Sequence, residues 1–474
     1  MKLKDYKNIY MIGIKGVGLA MLAQFLASKG FNVSGSDIKD VFPTDKTLIN
    51  AKIKFKNGFS LKNFPEKIDL IIYSSAFNEK ENIELRYFKN KNIPKISYAQ
   101  ALGYLFSDYF GISVCGSHGK TTVTSWLGYV LQRSGLSPNV LTGSYVEQFK
   151  GSALIGKSQY FIAESDEYQN KFQYFNPQAI VLNNIDFDHP DYFKDEKAYY
   201  KVFADFIKKI PKSGFVVVNL DNSLAFRASK NSAGKIIGYC LDDMGKNFKG
   251  GKYKIYFSKN LKLESSYQAF EVYENNKSLG EFKIKLFGRH NVSNALAVIA
   301  TSLKLGAKVD DIKKALWSFS GSARRFEVLG KFQGNIIIDD YAHHPTEVRA
   351  CLEAVKQKYK NKKIITVFHP HTISRTKALA NDFAKSFAQS DKVYLLEIYT
   401  SAREKAGGFS SLDLMEKIGQ YNLKSKIIQE LKYFKDMKRV EKELRKIKGN
   451  DNIILLLGAG DVFRVGENLL KIRK

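Results

Sequence analysis

Ile112-Ser-Val-Cys-Gly-Ser-His-Gly-Lys-Thr-Thr122 is the stretch on which the reading of the fold turns. Its first four residues have the apolar character of a buried strand, and helical spacing resumes at Lys120 and runs to about Arg133. Between them Gly116, Ser117, His118 and Gly119 make a tight loop that closes on Lys120, Thr121 and Thr122. A loop ending in Gly-Lys-Thr at a helix N-terminus offers backbone N–H donors, a lysine charge for β- and γ-phosphates, and a hydroxyl for Mg²⁺. Only two residues separate the glycines where the common P-loop has four, so this is a shortened variant.

Outward from this loop, short apolar runs recur at Ile9–Ile14, Leu70–Tyr73, Tyr160–Ala163, Ala179–Leu182, Phe215–Val218, Ile336–Ile338, Ile364–Phe368, Val393–Ile398 and Ile453–Leu457. Most are separated by helical spacing, which predicts an α/β fold with mainly parallel sheet. Tyr253–Phe257, Ala269–Tyr273 and Phe282–Leu286 follow one another without a helix and predict an antiparallel patch. New strand–loop–helix units begin near residues 109 and 321, so the expected domains are 1–108, 109–320 and 321–474.

Composition narrows the class. The 474 residues are 44% hydrophobic and 26% charged, as in ordinary globular proteins. No apolar stretch is long enough to span a membrane, and no signal-peptide layout is present, so membrane insertion is not expected. Three scattered cysteines form no Cys-x-x-Cys pair, which argues for a reducing cytoplasm and against a cysteine zinc site. The net charge of +28 is spread along the whole chain without a nucleic-acid module, so it reads as dispersed surface charge rather than a nucleic-acid partner.

Three further clusters sit at strand ends. Gly13, Gly16 and Gly18 follow the first strand, with Val17 between the last two, and Asp37 lies 19 residues beyond Gly18. Such a turn admits phosphates, and such a carboxylate can hold a ribose hydroxyl, although the spacing is GxxGxG rather than GxGxxG. Glu164-Ser-Asp166-Glu167 and Asn183-Asn-Ile-Asp186-Phe-Asp188-His189 supply the hard oxygen donors that Mg²⁺ requires, with helix capping as the plainer reading for Asp188 and Asp191. Asp339-Asp340-Tyr-Ala-His343-His344-Pro345-Thr-Glu347 lies between Arg324-Arg325 and His369-Pro-His371-Thr-Ile-Ser-Arg375, groups suited to carboxylates and phosphates. All seven histidines, His290 included, fall within these loops or in the segment before Asn291.

GSHGKTT (116–122), ESDE (164–167), NNIDFDH (183–189), FGRHNVSNA (287–295), GSARRFE (321–327), DDYAHHPTE (339–347), HPHTISRT (369–376) and GAGD (458–461), in this order, closely resemble the Mur ligases of peptidoglycan synthesis. The resemblance runs from the Gly13 loop to Asp461. It implies three domains: an N-terminal Rossmann-like domain for a UDP-sugar, a central P-loop ATPase domain, and a C-terminal Rossmann-like domain for the amino acid. The implied reaction is ATP-dependent joining of L-alanine to the lactyl carboxylate of UDP-N-acetylmuramate through an acyl phosphate, with release of ADP and phosphate. A related activity, attachment of a recycled murein tripeptide to the same UDP-sugar, is the alternative, and HPHTISRT speaks against it.

Carried over by position, the resemblance places Gly16, Val17, Gly18, Asp37 and Ser75 at the UDP-sugar. Gly116 to Thr122, Asn291, Asn294, Arg325 and Asp340 would bind ATP, with Lys120 also catalytic on the β/γ-phosphates. Thr121, Glu164 and His189 would hold Mg²⁺, and His343 and Arg375 would face the amino acid and the reacting carboxylate. Glu-Tyr-Gln-Asn-Lys-Phe (167–172), where a serine–aspartate pair is common, and His369, where glutamine is frequent, depart from the family pattern. A cytoplasmic monomer or homodimer is implied. Because the phosphate loop and Arg375 lie in different domains, the two must meet for chemistry.

Overall fold

Three sheets follow one another along the chain, each with its loops gathered at the carboxyl ends of its parallel strands. The computed structural model describes residues 2–242, 253–400, 407–449 and 451–471. The first sheet contains β1 (Asn8–Ile12), β2 (Asn32–Asp37), β3 (Lys54–Asn57), β4 (Leu70–Tyr73) and β5 (Lys95–Ser97). These pair in the order β3-β2-β1-β4-β5, all parallel. The order reverses at β1, so its Gly13–Gly18 turn opens beside the end of β4, where such a sheet binds ligands.

The central sheet has ten strands: β6 (Phe110–Cys115), β7 (Asn139–Val146), β8 (Gly151–Leu154), β9 (Tyr160–Glu164), β10 (Ala179–Leu182), β11 (Phe215–Asn219), β12 (Lys235–Cys240), β13 (Lys254–Leu263), β14 (Gln268–Glu274) and β15 (Lys277–Ile284). Their order is β15-β14-β13-β12-β11-β10-β6-β9-β7-β8. The strands from β7 through β13 are parallel, whereas β13-β14-β15 is the antiparallel patch expected from sequence, and β8 adds an antiparallel edge. Lys235–Cys240 was not among the expected runs, because Gly238 and Lys235 dilute its apolar character.

β16 (Glu327–Phe332), β17 (Asn335–Asp340), β18 (Lys363–Phe368), β19 (Lys392–Leu396), β20 (Glu430–Phe434) and β21 (Asn452–Leu457) form the third sheet, ordered β16-β17-β21-β18-β19-β20. All pairs but β16–β17 are parallel. The loops after β17, β21 and β18 are neighbours for that reason, which brings Asp340–His344, Gly458–Asp461 and His369–Thr372 to one edge.

Apolar burial joins the units. One hydrophobic cluster runs from Leu22 and Phe25 of the first unit into Phe161 and Ala163 of the central sheet. The Phe25 and Phe161 rings meet edge-on at 5.6 Å. The third unit has its own core on both faces of its sheet, with Leu455 on one side and Leu456 on the other. Removing a fully buried side chain from this central strand leaves a cavity as well as losing apolar transfer energy. Leu455→Ala is therefore expected to cost about 2–5 kcal/mol in the third unit, read as a lowered melting temperature.

Candidate active site

The phosphate loop has a conformation that only its glycines make easy. Gly116 and Gly119 lie at φ +129° and +79°, and the latter opens the helix Lys120–Arg133. A Cβ at Gly116 would stand 2.8 Å from the Asn184 carbonyl oxygen and 2.9 Å from its nitrogen. The loop is thus pressed against the end of β10. Asn184 Oδ1 accepts from the His118 N–H at 2.8 Å, and the Asn183 side chain donates to the His118 carbonyl at 3.1 Å. Lys120 Nζ folds back to donate to the Gly116 carbonyl at 2.7 Å and to Glu167 Oε2 at 3.1 Å. Burial would lower the lysine pKa, but the Glu167, Asp166 and Glu164 charges raise it, so it stays cationic.

Hard donors collect beside it. Thr121 Oγ1 donates to Glu164 Oε1 at 3.0 Å, and the other Glu164 oxygen accepts from the Gly143 N–H at 2.8 Å. Asp166, Glu167 and His189 bring ligand atoms within 4.8 Å of one another a short way along the same sheet edge. Carboxylates, a hydroxyl and one imidazole fit a hard divalent cation near phosphates. Tyr168 lies against the His189 ring, with centroids 4.6 Å apart.

From the third sheet, the two neighbouring arginines take different work. Arg324 is spent on structure, donating to Asp339 Oδ2 and to the Gly458 and Ala459 carbonyls. Arg325 reaches across to the central unit, where its Nη2 donates to Thr121 Oγ1 at 3.2 Å. Asp340 accepts from the Phe326 and Ala342 backbone N–H groups while lining the cleft between the units. Burial is the main reason its carboxyl is pushed up, against the Arg325 charge.

Arg375 makes the firmest cross-unit contact. Its guanidinium grips Asp188 with Nε to Oδ1 at 2.7 Å and Nη2 to Oδ2 at 3.2 Å, with both residues nearly inaccessible to solvent. Burial alone would raise Asp188; the Arg375 charge overrides it and holds the carboxyl well below the usual range. Neither Asp188 nor Asp191 caps a helix, since the next one, Glu196–Ile207, is capped by Asp195. His343 lies close by, with its ring 6.0 Å from that of His371, and burial pushes its pKa down to about 3 despite the Glu347 charge.

Between the central and third units is a cleft of 350 Å³ lined by Gly119, Thr122, Asn291, Asn294, Arg325 and Asp340 among others. Asn291 and Asn294 lie in the first turns of the helix Arg289–Lys304 and are hydrogen-bonded to each other at 3.2 Å. The glycine loop at the helix N-terminus and an arginine from the third unit thus face one pocket.

Comparison with known proteins fits this layout. Three family models match consecutive parts of the chain: Mur ligase family, catalytic domain, over residues 8–110; Mur ligase middle domain over 114–302; and Mur ligase, glutamate ligase domain, over 324–460. A UDP-N-acetylmuramate–L-alanine ligase of Caldanaerobacter subterraneus is 35% identical over 477 residues, spanning 100% of this chain and 99% of the relative. The chain belongs to the Mur ligase family. The relative of that same name from Clostridium acetobutylicum is 38% identical, over 98% of this chain and 97% of its own. A crystal structure of the UDP-N-acetylmuramate–alanine ligase from Thermotoga maritima matches with a TM-score of 0.78 at 26% identity, covering 98% of each chain. This Mur ligase accordingly has the three-domain α/β fold with mostly parallel sheets.

In the N-terminal unit of this Mur ligase, Gly16 caps the helix Val17–Ser28, and Val17 is exposed at its first position. Gly18 packs against the Tyr98 ring. Asp37 ends β2 instead of following it, and is buried with its oxygens accepting from the Lys15 and Ile38 N–H groups at 2.7 and 2.8 Å. In this structure its carboxylate braces the glycine turn. Ser75 is exposed just beyond β4.

From sequence, His344, Thr346 and Glu347 of the junction carried no individual role, whereas Asp186 and Asp188 stood as hard oxygen donors for Mg²⁺, with helix capping as the plainer reading for Asp188. His118, expected at ATP with the rest of its loop, also joins the units: its ring bridges Asp186 Oδ2 at 3.0 Å and Glu347 Oε1 at 3.1 Å. Burial opposes protonation, yet the hydrogen bonds to these two carboxylates raise its pKa to about 9. A raised folded-state pKa stabilises fully below the unfolded value near ~6.5 and fades as pH climbs through the folded value. The stability difference between the wild type and His118→Asn is therefore expected to be constant below about pH 6.5 and to shrink towards pH 9 and above, measured by urea unfolding across that range.

Proposed function

We propose that this Mur ligase joins L-alanine to the lactyl carboxylate of UDP-N-acetylmuramate with ATP, forming an acyl phosphate and releasing ADP and phosphate. The observation that carries the reading is the meeting of Arg325 with Thr121 across the 350 Å³ cleft, in a chain matched end to end by ligases of that name. The boundaries near 109 and 321 divide the labour: 1–108 for the UDP-sugar, 109–320 for ATP, 321–474 for the amino acid.

A carboxylate resists amine attack because its leaving group would be an oxide. One of its oxygens attacks the γ-phosphorus, the bond to the β-phosphate oxygen breaks, and ADP departs. The amine nitrogen then attacks the acyl carbon, and inorganic phosphate leaves with the former carboxylate oxygen. The ammonium of L-alanine gives up a proton before attack and a second on collapse to the amide. Positioning and charge neutralisation dominate such chemistry.

Lys120 is suited to turn from Glu167 to the β- and γ-phosphates, and Arg325 to their far side. The Asn291–Asn294 pair would face adenine, and Asp340 holds the strand end that carries Arg325's neighbour Phe326. Thr121, Glu164 and His189 would hold Mg²⁺, which supplies charge neutralisation of the transferring phosphoryl group. Gly16, Val17, Gly18 and Ser75 would receive the UDP-sugar, with Asp37 acting through the turn it braces. Arg375 would exchange Asp188 for the reacting carboxylate or its phosphoryl group, and His343 would face the amine.

Among the described residues no helix is long and apolar enough to cross a membrane. A reducing cytoplasm, which supplies ATP, suits three buried cysteines that form no disulfide. Every proposed site residue comes from one chain, so a monomer suffices and a homodimer is compatible.

The test is phosphate release by purified protein from ATP and Mg²⁺ with UDP-N-acetylmuramate, varying only the amine. Release that requires L-alanine, with glycine and L-serine weaker, is the expected result. Release only with the murein tripeptide L-alanyl-γ-D-glutamyl-meso-diaminopimelate would move the assignment to the recycling reaction. Lys120→Ala should lower kcat by about 10²–10³-fold, the loss seen when one preorganised charge-stabilising group is removed.

A further inference from the structure

The carboxylate of Glu347 joins two parts of the site that belong to different units. Its Oε1 stands 3.1 Å from Nδ1 of His118, inside the phosphate loop. Its Oε2 accepts from the His343 backbone N–H at 3.1 Å and lies 3.3 Å from His343 Nδ1. The same ring nitrogen is 3.0 Å from the Tyr341 carbonyl oxygen. Both neighbours of Nδ1 are acceptors, so Nδ1 carries the proton and Nε2 presents its lone pair.

We infer that Glu347 is a positioning residue for the transfer to the amine, holding the aim of His343 beside the Tyr341 carbonyl that fixes its tautomer, and tying that histidine to the phosphate loop through His118. The inference rests on the ligation reading and on His343 facing the amine. Its chemical content is proton removal. Burial keeps His343 neutral and weakly basic in the resting site. The negative charge of a bound acyl phosphate raises that basicity, and Nε2 of the correctly oriented imidazole then takes the proton that must leave the L-alanine ammonium before nitrogen can attack. A carboxylate behind the ring both fixes that orientation and stabilises the imidazolium that forms. Charged or titratable groups facing His343 are Glu347, Arg375, Asp188 and His371, with Tyr341 against its ring. Glu347 is the acid that touches it directly.

A plainer role has to be separated from this one. Glu347 is the third residue of the helix Pro345–Lys358, whose N-cap is His344, and a glutamate there also braces a helix start. Glutamine serves that bracing role equally well. Glu347→Gln therefore keeps the helix start and removes the charge that orients both histidines. Glu347→Ala removes both.

The experiment compares two nucleophiles for the acyl phosphate. Hydroxylamine is largely uncharged at neutral pH and attacks without a protein base, whereas L-alanine has to be deprotonated. Wild type and both variants are assayed with ATP, Mg²⁺ and UDP-N-acetylmuramate, reading L-alanine-dependent phosphate release and hydroxamate formation side by side. In Glu347→Gln the L-alanine rate should fall about 10²-fold or more, the contribution of a positioned general base. Its hydroxamate yield should fall far less than its L-alanine rate, because any disturbance of the phosphate loop through His118 acts on both nucleophiles alike. Equal loss with both nucleophiles, or no loss with either, overturns the role. Glu347→Ala should repeat the selective loss, and a loss confined to Glu347→Ala assigns Glu347 to bracing alone and overturns the inference. Failure of the function reading shows elsewhere, in a wild-type protein that forms hydroxamate and ignores L-alanine.

Discussion

The junction between the central and C-terminal units depends on charges paired out of water, above all Arg375 with Asp188. Two desolvated ions cost several kcal/mol each unless geometry and hydrogen bonds restore what hydration gave. Here the guanidinium fork matches the carboxylate with two contacts, and the Arg375 side chain also reaches the His371 carbonyl. Removing one partner of such a pair typically costs about 3–5 kcal/mol, because the other is left buried and alone. The same junction brings Arg325 to Thr121 and Thr346 to Asp186.

Sheet topology explains why so few contacts are needed. In each unit the chain reverses its order of strand addition next to a central strand, and the loops that leave there converge. The glycine turn after β1, the phosphate loop after β6 and the loops after β17, β18 and β21 are products of one rule applied three times. Arg375 and Arg325 cross the gap from the third unit, and the shared apolar cluster around Phe25 and Phe161 fixes the first unit to the second.

The sequence was most legible where backbone chemistry leaves little choice. The Gly116–Thr122 loop, the strand runs around it and the antiparallel patch at Tyr253–Leu286 could be placed because glycine spacing and apolar periodicity are local signals. Motif resemblance supplied the roles of Lys120, Glu164 and Arg325 as expectations. What escaped was pairing across units. Nothing in the spacing of Asp188 and Arg375, 187 residues apart, announces an ion pair. Asp37 matched a ribose-binding spacing, yet lies buried against the Lys15 and Ile38 backbone, since spacing fixes where a side chain starts and not which way it turns. Glu347 had a visible signal, four residues after His343 at a helix start, which is a distance at which side chains meet.

Lys120 on Glu167, Arg375 on Asp188 and His118 on Glu347 have a common property: each of these three cations, suited to a polyanion, already has an internal counter-ion. Binding such a substrate is then an exchange of anions at fixed cations. Its affinity is a difference between two similar electrostatic energies, which keeps it moderate even with several charges involved. The displaced carboxylates are held nearby, and as phosphate and ADP are formed they can reclaim the cations. A resting site without these counter-ions would bind its nucleotide more tightly and let the products go more slowly.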